Sequence, residues 1–248
     1  MIKKILKLDA RWYVAAAIIL TAILAVRPEG AVIFKHIIPI CLISCLLDFT
    51  ILCLRDRKLT FPLSALVSGL IISAVLAPTR FFFIAPAVAI LSKHIIKTAD
   101  RHIFNPAGLG LLIANVCFGL PLTWWLTTNG LLFVIFGLFL AYRIKKFSLI
   151  FSFSLATFIL SISYSLFSRQ PALANLGILN PFFIFFMLPE PKTSPVYLKS
   201  KLIYGGIVSL FVVLGLAFLP RYDFLILGLI LGNVVGALLR VLSQDELK

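Results

Sequence analysis

Two stretches of this chain hold the side chains that could do chemistry. The first, KHIIKTADRHIFNPAGLG (93–110), sets Lys93, Arg101 and His102 ahead of an Asn-Pro step at Asn105 and Pro106, followed by Gly108 and Gly110. Asparagine caps helices and proline suits a first helical turn, so the plain reading is helix initiation. A helix amino terminus aimed inward is equally a site for a phosphate or a carbonyl-rich ring. Gly108 and Gly110 would let a flat ring or a neighbouring helix approach the backbone. The second stretch, NPFFIFFMLPEPKTSP (180–195), carries four prolines, the carboxylate of Glu190 and the hydroxyls of Thr193 and Ser194. It reads as a cavity wall or as a helix terminus with a surface acid. An acid near the bilayer core is costly to bury and usually has a task, which favours the wall.

The elements around these stretches are apolar. Hydrophobic residues make up 61% of the chain and charged residues only 13%, far from the balance of a soluble domain. A helix needs about 20 apolar residues to cross the ~30 Å hydrocarbon layer. The apolar runs lie at 12–26, 31–54, 60–77, 81–92, 103–120, 123–142, 147–167, 172–188, 199–219 and 222–240. Ten helices are expected, which makes this an all-α integral membrane protein with no soluble domain and no cleaved signal peptide. The fourth run is short, and the third and eighth end in proline-bearing breaks, so some segments are expected to enter the bilayer without crossing it cleanly.

A net charge of +14 could suggest nucleic acid, but the distribution of the 23 Lys and Arg answers otherwise. The amino-terminal tail and every second connection hold Lys3, Lys4, Lys7, Arg11, Arg55, Arg57, Lys58, Lys93, Lys97, Arg101, Arg143, Lys145, Lys146, Lys192, Lys199, Lys201, Arg240 and Lys248. The other side holds Arg27, Arg80, Arg169 and Arg221, with Lys35 inside the second run. By the positive-inside rule the chain is multi-pass in the cell membrane with both termini cytoplasmic, and its basicity reflects topology, not nucleic-acid binding. Cys41, Cys45, Cys53 and Cys117 form no C-x-x-C pair. Together with His36, His94 or His102 they leave an iron–sulfur or haem site open, but buried free cysteine ordinarily packs as a small apolar residue.

The two halves echo each other. Arg101, Phe104, Gly108, Leu109 and Leu111 recur in order as Arg221, Phe224, Gly228, Leu229 and Leu231, and Asn115 has a near counterpart in Asn233. VLAPTR (75–80) resembles MLPEPKT (187–193). Ten helices then divide into repeats 1–120 and 121–248. Five is odd, so the repeats are inverted, and the working site is expected between their interrupted helices near the midplane.

These segments also look familiar as a set. SKHIIKTADRHIFNPAGLGLLI (92–113) resembles the S-K-H…R-H-I-F-N-P-A signature of the RnfD/NqrB family, the flavin-carrying membrane proteins of the Rnf electron-transport complex and of the Na+-translocating NADH:quinone reductase, Nqr. SGLIISAVLAP (68–78) and MLPEPKTSPVYLKSKLIYG (187–205) are similar to two further segments of that family, in family order. The resemblance implies a urea-transporter-like inverted repeat of two five-helix units and a membrane component that passes electrons through flavin, with coupled ion transport. It further implies that Asn105 and the following helix start, Pro106 and Gly108, meet a flavin's carbonyl edge, and that Lys93, Arg101 or His102 meets phosphate or steadies a reduced ring. Glu190, flanked by Pro191, Thr193 and Ser194, would bind a hydroxyl or couple a proton.

The departures from the family are specific. Its covalent FMN tetrapeptide, S-G-A-T, is absent, and its Thr-Asp-Pro is here Pro189, Glu190 and Pro191. The expected cofactor is therefore non-covalent riboflavin or FMN, not covalent FMN. No G-x-G-x-x-G follows a strand, so electrons must come from partners, either other electron-transport subunits or a soluble flavoprotein or ferredoxin-type reductase on the cytoplasmic face. The alternatives are a cofactor-free channel or carrier for a small polar solute, and a membrane anchor for a reductase.

Overall fold

The computed structural model describes residues 9–25, 33–57, 60–98, 101–128 and 130–245. Lys3, Lys4, Lys7, Arg27, Lys58 and Lys248 of the charge pattern lie outside the described residues. The helices run α1 (Ala10–Ala25), α2 (Ile38–Asp56, entered through a π turn at Ile33–Ile37), α3 (Leu63–Val75), α4 (Ile84–Ile95) and α5 (Pro106–Phe118). They continue as α6 (Gly130–Arg143), α7 (Phe147–Phe167), α8 (Leu198–Phe218) and α9 (Phe224–Asp245). Four helical spans are long and apolar enough to cross a membrane: Lys35–Arg55, Phe147–Phe167, Leu198–Phe218 and Phe224–Val241. Large apolar side chains such as Leu54, Ile95, Leu131 and Phe167 face outward, as a lipid-facing surface requires.

The helices pack as α2 on α3, α3 on α5 and α4 on α5 in the first half, and as α7 on α8 and α8 on α9 in the second, with α5 meeting α9. Small residues set the closest approaches. Gly110 of α5 lies against the Ala85 carbonyl and the Ala89 methyl of α4, so an added Cβ would strike backbone. Gly110→Ala should force α4 and α5 apart and cost about 2 kcal/mol. Gly206 has open space at its Cβ position, so Gly206→Ala should leave the thermal midpoint unchanged in the same detergent melts. Equal midpoints for the two variants would refute the close contact.

Three features depart from the sequence expectation. The run at 172–188 is not one helix. It holds a 3-10 turn at Leu176–Ile178 and a short helical stretch at 181–187 that widens to π geometry over Phe183–Met187. Pro181 begins that stretch, with Asn180 Oδ1 accepting the Phe182 N–H at 2.9 Å, and Pro189 and Pro191 prevent its continuation. Residues 123–128 form a loop and a 3-10 turn (Trp125–Thr128) before α6 begins. A two-stranded hairpin, β1 (Lys97–Thr98) with β2 (Arg101–His102), precedes α5.

At two of the breaks in the helical pattern, freed carbonyls are met by donors. After α3, Leu76 turns extended and bridges to Leu122, with Ala77 N–H donating to Pro121 O at 3.0 Å and Thr123 N–H to Val75 O at 2.9 Å. His36 Nε2 sits 3.0 Å from Leu76 O, and Trp125 Nε1 donates to Ser73 O at 2.8 Å. In the second break the donors are cations. Lys146 Nζ donates to Pro195 O and, at 3.4 Å, to Ser194 O, while Arg240 donates to Thr193 O and, at 3.3 Å, to Lys192 O.

Candidate functional site

Between these elements lies a cavity of about 340 Å³, in the size range of small-ligand sites. Its apolar wall includes Val67 and Ile71 of α3, Leu140 of α6, and Phe185 and Phe186 of the short helical stretch. Its polar lining comprises Ser64 and Ser68 of α3, Lys93 of α4, His102, Asn105, Glu190 and Lys192, with Asp9 and Arg11 at one edge. Both stretches singled out in the sequence therefore open into one space. Six of the ten candidate residues line it: Lys93, His102, Asn105, Pro106, Glu190 and Pro191.

The other four stand aside. Arg101 is exposed on the hairpin. Gly108 faces Leu229 and Ile230 of α9. Thr193 and Ser194 are buried and brace Glu190 from behind, the Ser194 hydroxyl donating to Glu190 O at 2.7 Å and the Thr193 hydroxyl lying 3.4 Å from Oε2.

Asn105 is fully engaged within the protein. Its Oδ1 accepts the Gly108 N–H at 2.9 Å, which caps α5, and its Nδ2 donates to Met187 O at 3.2 Å. Its backbone N–H donates to Asn233 Oδ1 at 2.7 Å, and Asn233 Nδ2 donates to the Tyr204 hydroxyl at 2.7 Å. The same pattern occurs at the head of α9. Asp223 Oδ1 accepts the Ile226 N–H at 2.9 Å, and the Asp223 N–H donates to Asn115 Oδ1 of α5 at 3.1 Å. Each helix thus holds the capping residue of the other.

Lys93 is committed too. Its three ammonium protons reach Asp48 Oδ1 at 2.8 Å, Asp48 Oδ2 at 2.7 Å and Ser64 Oγ at 2.5 Å. His94 Nε2 completes the group, 2.6 Å from Asp48 Oδ1. Arg11 is paired with Asp9 through both carboxylate oxygens.

Three polar groups on the wall remain to meet a ligand. His102 is only 8% exposed, and its Nδ1 has no hydrogen-bond partner among the described residues. Burial, with the charges of Lys192 and Lys93 nearby, lowers its pKa to about 4, so the imidazole is neutral at pH 7. Glu190 lies in the proline-rich connection. Burial raises its carboxyl to about 7, against the opposing pull of the Thr193 hydrogen bond and of Lys192, Lys93 and Arg240. Lys192 is exposed at the cavity edge.

Sequence reasoning misses Asp48, Ser64 and Lys146. Asp48 is the lone acid in the run at 31–54, a signal in itself for a membrane chain. Lys146 reads in the sequence as a topological charge, yet it is buried, with a pKa lowered to about 7 by desolvation and then by Lys201, Arg101 and Arg240. No sequence signal marks Ser64. The chain matches no family model, and no curated protein matches it either.

Proposed function

We propose that the chain is the membrane component of a flavin-dependent electron-transport system of the Rnf and Nqr kind, holding a non-covalent flavin in the cavity between two inverted repeats of five membrane segments each. The observation that carries this reading is the convergence of the two interrupted segments on one cavity whose wall presents a buried imidazole nitrogen, His102 Nδ1, with no partner among the described residues. A flat ring suits the apolar side, where Val67, Ile71, Leu140, Phe185 and Phe186 would exclude water. His102 and Glu190 supply an acceptor or donor on the polar side, and Lys192 a positive charge at the edge. When bound, a flavin would supply the one- and two-electron chemistry. The chain's own residues orient it, and Glu190 holds a proton near neutral pH.

The mutual capping of α5 and α9, through the cap residues Asn105 and Asp223 and their holders Asn233 and Asn115, supports the inverted repeat. So does the packing of α4 on α5 beside that of α8 on α9. Exposed Lys97, Arg101, Lys145, Lys192 and Lys199 lie in the connections assigned to the cytoplasm and would receive an acidic reductase. The channel reading is less well supported. Phe186 on the cavity wall stacks on Phe182 at 5.5 Å, and Phe182 meets Phe133 and Trp124, so solid aromatic packing backs the cavity.

Purified protein is expected to carry flavin, detected by absorbance and released intact by denaturation. Stripped protein should quench riboflavin or FMN fluorescence on rebinding. His102→Phe keeps an aromatic ring but loses the nitrogens, and should weaken binding at least about tenfold, or ~1.4 kcal/mol. Absence of flavin, with no rebinding, would sink the proposal.

A further inference from the structure

The Asp48–Lys93–His94–Ser64 group is not explained by ligand binding, because Lys93 offers its protons inward to Asp48 and Ser64. Asp48 is 1% exposed and lies within the membrane-length span Lys35–Arg55. A buried carboxylate in such a span is expensive and ordinarily serves ion or proton movement. The hydrogen bonds are continuous, from His94 Nε2 to Asp48 at 2.6 Å, from Lys93 Nζ to both Asp48 oxygens, and from Lys93 Nζ to Ser64 Oγ at 2.5 Å. One end, Ser64, lies on the cavity wall. The other, His94, stands in the last turn of α4, three residues before the exposed strand β1.

We propose that His94, Asp48, Lys93 and Ser64 form a proton relay between the hairpin side of the protein and the cavity. In one passage the Lys93 ammonium gives a proton to Ser64 Oγ as the Ser64 hydroxyl releases its own into the cavity. The Lys93 amine is refilled from the Asp48 carboxyl, which has taken the Nε2 proton of His94. His94 takes a proton from water at Nδ1 as its Nε2 proton leaves, so the ring is never an anion, and a ring flip then returns an N–H to Asp48. One proton enters and one leaves, and every bond broken is replaced.

The charged and titratable groups around the relay come from each neighbouring element. Arg11 of α1 and Lys192 act on Lys93, and Cys45 of α2 faces Asp48 and Lys93. Glu190 and His102 feel Lys93 across the cavity, and His102 also feels His94. Arg11 and Lys192 oppose a further positive charge at Lys93, which favours release toward Ser64. The relay's delivery to a bound ring rests on the functional reading above, but its proton exchange does not.

The test uses the full chain in lipid nanodiscs without added flavin, followed by infrared spectroscopy after transfer to heavy water at one fixed pH. The Asp48 carboxylate band and the His94 ring bands should shift together as their shared protons exchange for deuterium. His94→Gln should abolish that coupling and slow exchange at Asp48 by at least about tenfold, while riboflavin quenching stays as in the parent. Asp48→Asn alone leaves Lys93 buried without its counter-charge and is expected to fold poorly. Asp48→Asn with Lys93→Met removes both charges and should fold, with the thermal midpoint of the parent, and lose the band. An Asp48 signal whose exchange is unchanged in His94→Gln overturns the relay. Coupled exchange in a parent protein that binds no riboflavin would support the relay and remove the flavin reading instead.

Discussion

Asn233→Leu should be the most destabilising single change in the cavity's frame, lowering stability by roughly 3 kcal/mol. Asn233 is buried, and its amide serves two partners at once, accepting the Asn105 N–H and donating to the Tyr204 hydroxyl. Leucine fills similar space but leaves that backbone N–H and the Tyr204 oxygen facing apolar neighbours. Asn115→Leu is the informative comparison. Its bond to the Asp223 N–H is only part-buried, so water can replace it, and the loss should be about 1 kcal/mol. Thermal melts in one detergent would rank the two. Indistinguishable midpoints would show that the α5–α9 brackets are not what ties the halves together.

Glu190→Gln should stabilise the protein at alkaline pH and remove the pH dependence of ligand binding. The folded carboxyl has its pKa raised from 4.5 to about 7, so folding disfavours its ionised form. The resulting penalty is absent below about pH 4.5, grows from there to about pH 7, and is full above it. Discounted for the carboxyl's opening to the cavity, the penalty is about 2 kcal/mol. Glutamine stays neutral throughout and can still accept from the Thr193 hydroxyl. The variant should therefore match the parent near pH 4.5 and exceed it by about 2 kcal/mol at pH 8. Riboflavin affinity in the parent should change between about pH 6 and pH 8, whereas in the variant it should be flat. A parent whose stability and affinity ignore pH in that window would mean Glu190 has no proton to exchange. A gain in stability from neutralising a buried ionisable side chain is the usual mark of a residue kept for function.

Much of the helical plan is legible in the sequence because lipid imposes a simple rule: a segment that crosses must be long, apolar and internally hydrogen-bonded. The cap at Asn105 is legible because its partner, Gly108, is three residues away. The run at 172–188 misleads because apolar composition says nothing about where Pro181, Pro189 and Pro191 let the chain coil. Asp48 is visible as a lone acid, but its partners lie 45 and 46 residues away, and no local pattern links them. Lys146 escapes for a different reason. A lysine in a basic connection looks like every other topological charge, and only its contact with Ser194 and Pro195, far along the chain, reveals a second role.

The cationic clamps on residues 192–195 bear on how the cavity could open. Lys146 from the α6–α7 turn and Arg240 from α9 grip the backbone of this connection, and Arg240 belongs to a helix that also holds Asn105 through Asn233. The segment beside Glu190 is therefore mechanically part of two helices, not a free flap. Wider opening of the cavity is expected to tilt these helices as bodies, with the proline-rich connection carried along. A spin-label pair reporting on α1 and the 188–195 connection should then broaden or narrow in step with one reporting on α9, as a hinge does and a lid does not.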